Sequence, residues 1–298
     1  MSDVPDITVS IRCVNDSIPQ FRECINALLA QEGVTCETWI IDSSDHEEFK
    51  AICAEYDTVH YCRIPGKNLC EGRNKGVELS RSDYVALTDP DCVPCPIWLK
   101  SLKEQLDAGA GVVGGQIVPR WLAKPPYYIR ESKMARAHLS LRSLGTDVRE
   151  VDRVFGANIA FSKSALGEEA KFREDLDRVN GILIGGGDTE FCERASALAG
   201  SKIVYVPAAS VEHQIPPRRL SFGWTLKRAF YGGVSRTWRG GRPSPVKGGT
   251  GLSLADMIFG GLFVVPYMVG QLYGVRLKKK GLGSAIGTPE FNERVDAP

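Results

Sequence analysis

The amino-acid sequence predicts an α/β fold: a doubly wound, mainly parallel sheet flanked by helices, with a C-terminal apolar and basic helical appendage. Short apolar runs alternate with helical patterns through the first 118 residues. Several of these runs stop at clusters of aspartate, serine and asparagine. Alternation of strands with helices is typical of parallel sheets, in which ligands bind beyond the carboxyl ends of the strands. The polar clusters therefore indicate one binding edge.

The elements follow from their periodicity. Ile7–Val14 is predicted as a buried strand, and a polar turn at Asn15–Ile18 leads into a helix opened by Pro19. The next strands and helices are predicted at Thr38–Ile41, Glu47–Tyr56, Val59–Ile64, Arg73–Leu79, Tyr84–Leu87, Ile97–Leu106 and Gly111–Val118. Between Pro119 and Arg153 the pattern weakens, which predicts a mobile segment with some helix. The last predicted elements are Val154–Ser162, Asp188–Ala199 and Lys202–Val206.

Composition excludes several classes of function. A formal net charge of +1 excludes a uniformly basic nucleic-acid-binding protein, so we expect no nucleic-acid partner. The nine cysteines are odd in number and irregularly spaced, which favours reduced thiols in the cytoplasm. Cys92 and Cys95 form a C-x-x-C without the second pair that a structural zinc site needs, so we interpret them as thiols. The N-terminus lacks the basic and apolar regions of a signal peptide.

Asp89-Pro90-Asp91 follows the strongly apolar strand Tyr84–Leu87. Two carboxylates one residue apart at a strand end can bind Mg²⁺ or Mn²⁺, and the ion can in turn bind a diphosphate. The same three residues are also good turn formers, so on its own this motif leaves a solvated turn as an alternative.

The order of the motifs resembles the family 2 glycosyltransferases of the GT-A fold, from Val9 to about Gly233. The similar segments are Val9-Ser10-Ile11 with Asn15, Ile40-Ile41-Asp42-Ser43-Ser44-Asp45, Gly72-Arg73-Asn74-Lys75-Gly76, Leu87-Thr88-Asp89-Pro90-Asp91-Cys92-Val93-Pro94, Gly156-Ala157-Asn158, Gly185-Gly186-Gly187-Asp188-Thr189-Glu190, and Tyr205-Val206-Pro207 with Val211-Glu212-His213. Seven ordered matches are more specific than any single motif. The resemblance implies an inverting transferase that moves a sugar from a nucleotide diphosphate donor, linked to UDP, GDP or dTDP, onto an acceptor hydroxyl.

The resemblance also implies roles for individual residues. Asp42 would contact the donor base, and Asn15 and Arg73 would lie near the donor. Asp89 and Asp91 would bind the ribose, the diphosphate and a Mn²⁺ or Mg²⁺ ion. One departure affects the donor contact, because Asp42-Ser43 keeps only the first of two acids usual in its motif.

Asp188 matches the acid that takes the proton from the acceptor hydroxyl. Gly187 stands where the family usually has a second acid, so Asp188 would act alone. Its alternative role is the N-cap of the following helix, a position that favours aspartate. His213 is expected as a further metal or phosphate contact, and Arg218 and Arg219 as candidates to close over the donor phosphates.

The C-terminal region predicts contact with a membrane. Residues 214–255 are basic and aromatic, and Met257–Val275 contains no charged residue. Basic residues flank this apolar segment on both sides, which favours a hairpin bent at Pro266 or an interfacial helix over a crossing helix. A helix buried in the core or in a dimer interface is the alternative. We expect attachment to the inner face of the cell membrane through residues 214–280.

These observations divide the chain into residues 1–118, which bind the nucleotide sugar, residues 119–233, which bind the acceptor and carry the base, and the membrane-associating residues 234–298. A glycan or a lipid-linked molecule is the expected acceptor, in the synthesis of cell-envelope glycans or glycolipids. The alternative function is a degenerate relative that binds nucleotide sugars, or a scaffold, without catalysis. A dinucleotide-binding enzyme is excluded because no G-x-G-x-x-G follows the first strand.

Overall fold

A computed structural model describes residues 4–176, 183–240 and 253–279. Its strands are β1 (Ile7–Cys13), β2 (Cys36–Asp42), β3 (Val59–Arg63), β4 (Tyr84–Thr88), β5 (Cys92–Pro94), β6 (Val112–Trp121), β7 (Arg149–Glu150), β8 (Asn158–Ser162) and β9 (Ile203–Ile215). Its α-helices are α1 (Ile18–Leu29), α2 (Glu48–Cys53), α3 (Leu69–Leu79), α4 (Trp98–Asp107), α5 (Tyr127–Glu131), α6 (Lys133–His138), α7 (Lys163–Leu166), α8 (Gly187–Ala197), α9 (Phe222–Arg239) and α10 (Leu254–Lys279). Short 3₁₀ turns lie at Gly167–Glu169 and Pro217–Leu220.

The strands form one mixed sheet in the order β3-β2-β1-β4-β8-β6-β9-β5, and β7 also pairs with β9. Strands β1 to β4 pair in parallel, as do β6 and β9. The antiparallel pairs join β8 to β4 and β6, and join β5 and β7 to β9. The predicted α/β fold is therefore confirmed. The polar ends of β1, β2 and β4 meet at one edge, as parallel pairing requires.

Both faces of the central strands are buried, which explains their unbroken apolar runs. Successive side chains of a strand point to opposite faces. Ala86 accordingly belongs to the apolar cluster that includes residues of α1 and α4, whereas Val85 and Leu87 belong to the cluster that includes Phe161 of β8 and Phe191 of α8. The central sheet is a rigid platform for the loops at its edge.

Three predicted element boundaries were wrong by four residues or more, and the first is that of β8, which begins at Asn158 instead of Val154. Helix α3 begins at Leu69 instead of Arg73, with Asn68 as an N-cap that accepts a hydrogen bond from the Glu71 amide at 3.1 Å. Gly72 is buried inside this helix because a Cβ there would lie 1.9 Å from the Arg12 side chain, so it marks a close approach and not a helix boundary.

Strand β9 continues to Ile215 instead of ending at Val206. Pro207 suggests an end, but it lies where the pairing with β6 shifts register between Gly115 and Ile117, and such irregularities tolerate proline. His213 therefore lies within the strand and not after it.

The segment from Pro119 to Arg153 has more regular structure than predicted. Strand β6 runs to Trp121, and α5, α6 and β7 follow it. Both helices are shorter than two turns, so their periodicity is too brief to recognise in the sequence.

Helix α10 is continuous through Pro266, so the predicted hairpin is wrong. Among the described residues, α10 is the one helix that is long and apolar enough to cross a membrane. Only 17% of its most apolar stretch is buried inside the protein. A core helix would be mostly buried, so the prediction of a core helix is wrong as well. The flanking Lys247 and Lys280 lie outside the described residues.

Glycine allows α10 to pack closely on α9. A Cβ at Gly233 would lie 1.9 Å from the Tyr267 carbonyl oxygen, and one at Gly270 would lie 2.0 Å from the Phe230 carbonyl oxygen. Close backbone approach through glycine is a known mode of helix pairing. One face of α10 is thereby covered by α9. The opposite face carries a stripe of exposed apolar side chains at Leu254, Met257, Ile258, Val264, Val265, Met268, Val269, Leu272 and Val275.

Asp256 ties the start of α10 to α6. Its buried carboxylate accepts hydrogen bonds from the Ser132 hydroxyl at 2.6 Å, the Met134 amide at 3.1 Å and the Ser253 hydroxyl at 2.7 Å. Burial alone would raise the pKa of Asp256, but these hydrogen bonds outweigh it and lower the pKa to about 2. The ionised carboxylate therefore stabilises the docked helix.

We expect Asp256→Asn to lower the free energy of unfolding by about 1–2 kcal/mol at pH 7, because charged hydrogen bonds are lost. The folded pKa lies below the unfolded value of about 3.9, so this contribution is complete above pH 4 and disappears as the pH falls through 2. Urea unfolding at pH 7, 4 and 2.5 measures it, with exposed Asp57→Asn as control. A difference between wild type and Asp256→Asn that stays constant down to pH 2.5 would contradict the assignment.

Candidate active site

A cleft of about 540 Å³ opens at the carboxyl ends of β1 and β4. Its walls come from these strand ends, the start of α8 and the 3₁₀ turn before α9. Its ionisable lining consists of four carboxylates, Asp16, Asp89, Asp91 and Asp188, and six cationic side chains, Arg12, Lys67, Arg73, Arg218, Arg219 and Arg228. Such a lining suits an anionic ligand accompanied by a cation.

Asp91 and His213 are brought together by a β-ladder. Cys92 pairs with His213 in the antiparallel ladder of β5 and β9, and the Gln214 amide donates to the Asp91 carbonyl at 2.9 Å. As a result, the Asp91 Oδ2 lies 3.3 Å from the His213 Nε2. Both side chains are largely buried, at 14% and 4% exposure.

These groups can act as ligands of one metal ion. Two ligand atoms about 2.1 Å from a six-coordinate ion lie about 3 Å apart, close to the observed spacing of the Asp91 and His213 atoms. Together with the Cys92 sulfur they lie within 4.8 Å of one another. Burial raises the pKa of the Cys92 thiol well above its usual value, which favours the protonated form over the thiolate that binds metals.

A cation of the protein itself lies at this position. Arg219 Nη1 is 3.3 Å from the Asp91 Oδ2 and 3.0 Å from the His213 Nε2. Asp89, from the same motif, lies in the cleft with its Oδ1 3.9 Å from Arg73 Nη2. The carboxylate and imidazole donors of this cluster therefore fit a divalent cation.

Asp188 lies in the cleft as the second residue of α8, and Gly186 is the N-cap. Its carboxylate accepts from the Thr189 amide at 2.8 Å and from the Gly156 amide at 3.1 Å. The alternative role of Asp188 as N-cap is therefore wrong. The two amides fix the carboxylate against the cleft and leave further lone pairs to accept a proton.

Arg73 reaches the cleft from α3 and is buried. Its guanidinium lies over the Phe172 ring, 5.5 Å from the centroid. A Cβ at Gly156 would lie 2.2 Å from Arg73 Nη2, so glycine is required beside the guanidinium. Gly156 thus contacts both Arg73 and Asp188. These contacts explain why the first residue of the Gly-Ala-Asn motif is glycine.

Asn158 of the same motif is structural. Its buried side chain donates to the carbonyls of Gln116 and Ala209 at 3.0 and 2.8 Å and accepts from the Trp98 indole at 2.9 Å. These bonds hold β6, β8, β9 and α4 together.

Asn15 and Asp42 stand at the ends of β1 and β2. Asn15 lines the cleft in a left-handed conformation with φ 53°. Its side-chain amide donates to the Asp45 carboxylate and accepts from the Asp45 backbone amide, both at 2.8 Å. Asp42 is fully buried, accepts from Tyr61 at 2.8 Å and Arg63 at 3.0 Å, and is outside the cleft lining. Its contact to a donor base remains a prediction.

The structure thus brings Asn15, Arg73, Asp89, Asp91 and Asp188 into one cleft. His213 adjoins it through Asp91, whereas Asp42 lies behind it.

Sequence reasoning missed Arg12, and it placed Asp16 in the polar cluster after β1 without giving it a role. Arg12 is buried at the end of β1, where Nη1 donates to the Ile41 carbonyl at 3.1 Å and Nη2 to the Gly66 carbonyl at 2.8 Å. A charged residue inside an apolar strand was the available signal. Burial, together with the charges of Asp91 and Asp89, raises the pKa of Asp16 to about 6. Lys67 and Arg228 were missed as well, and no local pattern distinguishes them.

The sequence model of glycosyl transferase family 2 matches residues 8–166. The glucosyl-dolichyl phosphate glucuronosyltransferase of Haloferax volcanii is 27% identical over 72% of this chain and 71% of its own length. The glycosyltransferase AglE of the same organism is 23% identical over 77% of this chain and 72% of its own length. The match to the family thus covers more than half of the chain.

A solved structure of GalNAc-T7 with UDP, GalNAc and Mn²⁺ has a TM-score of 0.57 and 14% identity to this chain. It aligns with 80% of this chain, which spans about half (51%) of the length of that protein. The likeness shows a shared GT-A fold. The protein belongs to glycosyl transferase family 2 and is a glycosyltransferase with the GT-A fold.

Proposed function

We propose that the protein is a metal-dependent, inverting glycosyltransferase that uses a nucleotide diphosphate sugar and glycosylates a lipid-linked acceptor at a membrane surface. The observation that carries the proposal is the convergence of Asp89, Asp91 and Asp188 in one cleft with six cationic side chains. A departing diphosphate needs positive charge, and an incoming hydroxyl needs a carboxylate. The cleft offers both.

The metal would be held by Asp89, Asp91 and His213, and would be Mn²⁺ or Mg²⁺. When bound, the ion supplies positive charge to the diphosphate. Arg73, Arg218 and the buried Arg12 add cationic groups to the lining of the cleft. Asp42, at the end of β2, would contact the base of the nucleotide.

Asp188 would act as the base. It takes the proton of the acceptor hydroxyl while that oxygen forms a bond to the anomeric carbon, and the bond from this carbon to the donor phosphate oxygen breaks. One displacement with one base inverts the anomeric centre. The Gly156 and Thr189 amides hold the carboxylate in place during this step.

A panel of UDP-, GDP- and dTDP-sugars tests the proposal, with Mn²⁺, Mg²⁺ or EDTA. We expect turnover with one donor class, loss of turnover in EDTA, and a fall of about a hundredfold in kcat/KM for Asp91→Asn, since one metal ligand is lost. Asp107→Asn, on the surface of α4, is the control. Nucleotide binding without any turnover would instead favour the alternative of a degenerate binding protein, for which the missing acid at Gly187 is the support.

The acceptor proposal is supported by the apolar face of α10 and its surroundings. Tyr127 and Phe222 are also exposed, and Tyr127 packs edge-on against Phe259 of α10, 6.3 Å between centroids. A second, mainly apolar groove includes Pro126, Leu220 and Tyr127 and is bordered by Lys124 and Arg130. The 3₁₀ turn at Pro217–Leu220 joins this groove to the cleft.

We propose that α10 lies in the headgroup region of the cytoplasmic face of the cell membrane. The stripe of exposed apolar side chains on α10 would enter the bilayer, and the basic end Arg276, Lys278 and Lys279 would meet anionic headgroups. The similarity to a protein named for a dolichyl phosphate substrate supports a lipid-linked acceptor.

Flotation with vesicles of phosphatidylethanolamine and phosphatidylglycerol measures this contact. We expect the double variant Val265→Glu and Leu272→Glu to lose at least tenfold in vesicle affinity, because two charges enter the apolar face. Leu29→Glu places one such charge on an exposed apolar residue of α1 and should float like wild type. Unchanged flotation together with loss of a dimer in light scattering would instead assign this face to a second copy of the chain.

A further inference from the structure

Arg219 occupies an unusual place for an arginine. It lies in the 3₁₀ turn between β9 and α9, and its guanidinium contacts both Asp91 and His213. The three atoms involved, Arg219 Nη1, Asp91 Oδ2 and His213 Nε2, form a triangle with sides of 3.0, 3.3 and 3.3 Å.

The hydrogen-bond chemistry of this triangle favours one tautomer of His213. Arginine only donates, so its 3.0 Å contact requires the His213 Nε2 to accept through its single lone pair. The Nε2 then carries no proton for Asp91, and two acceptors face each other at 3.3 Å. A cation beside both atoms makes such a contact favourable, and here Arg219 is that cation.

A metal ion at the same site needs the same lone pair. Imidazole binds a divalent ion through the unprotonated nitrogen, and the carboxylate binds it through an oxygen. Arg219 and the ion therefore compete for His213 Nε2 and for the charge of Asp91.

We propose that Arg219 is an exchangeable counter-cation of the metal site. In the metal-free protein its guanidinium binds Asp91 and His213, and an entering divalent ion releases it toward the donor diphosphate. The inference rests on the metal site of the proposed function and extends it to an order of binding, with the ion before the donor. The released side chain stays in the cleft, since Arg219 already lines its wall.

Titration of Mn²⁺, with free Mn²⁺ followed by electron paramagnetic resonance, tests the first half. We expect Arg219→Gln to bind Mn²⁺ about tenfold more tightly than wild type, because the ion no longer displaces a cation. Arg22→Gln removes the same charge from an exposed residue of α1 outside the cleft lining and should change the affinity less than twofold. Arg219→Met repeats the test with the length of the side chain largely kept.

Binding of inorganic pyrophosphate to the Mn²⁺-saturated protein tests the second half without assuming a nucleotide base. We expect Mn²⁺-saturated Arg219→Gln to bind pyrophosphate about tenfold more weakly than wild type. Opposite changes in the two affinities support the exchange, since a merely structural role would not move them in opposite directions. Unchanged or weaker Mn²⁺ binding in both Arg219 variants overturns it, and unchanged pyrophosphate binding overturns its second half.

The Asp91→Asn variant separates this inference from the proposed function. If Asp91→Asn weakens Mn²⁺ binding while both Arg219 variants match wild type, the metal site stands and the exchange is wrong. If wild type and Asp91→Asn bind Mn²⁺ equally, the metal site itself is wrong, and the exchange with it.

Discussion

Replacing Asp188 by asparagine is expected to lower kcat by about a thousandfold while donor affinity changes less than threefold. The amide keeps the shape of the side chain and can still accept from Gly156 or Thr189, but it cannot take a proton. General-base groups contribute factors of about 10²–10⁴. Steady-state transfer and equilibrium binding of the donor nucleotide, measured on the same preparation, give the two quantities.

Glu193→Gln is the matched control for Asp188→Asn. Glu193 lies on the same helix and forms its ion pair with Arg239 at 3.3 Å, away from the cleft lining. The activity of Glu193→Gln should stay within twofold of wild type. A loss of activity confined to Asp188→Asn would therefore support Asp188 as the base. Full activity of Asp188→Asn would remove it from the mechanism. The carboxylate would then serve only to join α8 to the loop at Gly156.

The Gly233→Ala substitution is expected to lower the free energy of unfolding by about 3 kcal/mol, the upper part of the range for overpacking. The added methyl group would lie 1.9 Å from the Tyr267 carbonyl oxygen and 2.8 Å from the Gln271 nitrogen, both backbone atoms that cannot rotate away. Helices α9 and α10 must separate to admit it. Urea unfolding measures the stability, and hydrogen exchange of α10 reports the separation.

The adjacent Gly232→Ala provides the control within the same turn of α9. Its added methyl group would meet the Tyr267 ring at 3.5 Å, an ordinary van der Waals contact. Alanine also favours a helix over glycine by up to about 1 kcal/mol, so this variant should equal or exceed wild type in stability. Equal stability of the two alanine variants would mean that the packing of α9 on α10 does not depend on Gly233.

Local pattern was enough to single out the end of β4. Asp89 and Asp91 became candidates because an apolar strand ends at them, and strand ends in parallel sheets meet at one edge. The order of motifs was needed to favour a metal site over a solvated turn. Arg73 and Asp188 were found only through the order of motifs, since neither has a local signature stronger than a helix residue. The structure places all four in the same cleft.

Long-range features were beyond a local pattern. Arg219 meets Asp91 from 128 residues further along the chain, through the pairing of β9 with β5, which no periodicity reveals. Pro266 suggested a bend in α10, but a proline costs roughly 3 kcal/mol in a helix, which packing against α9 can offset. Which effect dominates depends on a partner helix that the sequence does not identify.

The ladder between β5 and β9 gives the enzyme a modular construction. The spacing of Asp91 and His213 is set by the pairing of β5 with β9. The turn that carries Arg218 and Arg219, and the residues that line the groove beside it, belong to short surface segments. Substitutions in these surface segments would therefore leave the spacing of Asp91 and His213 unchanged. Residues 216–221 can be varied between β9 and α9 while the sheet remains intact.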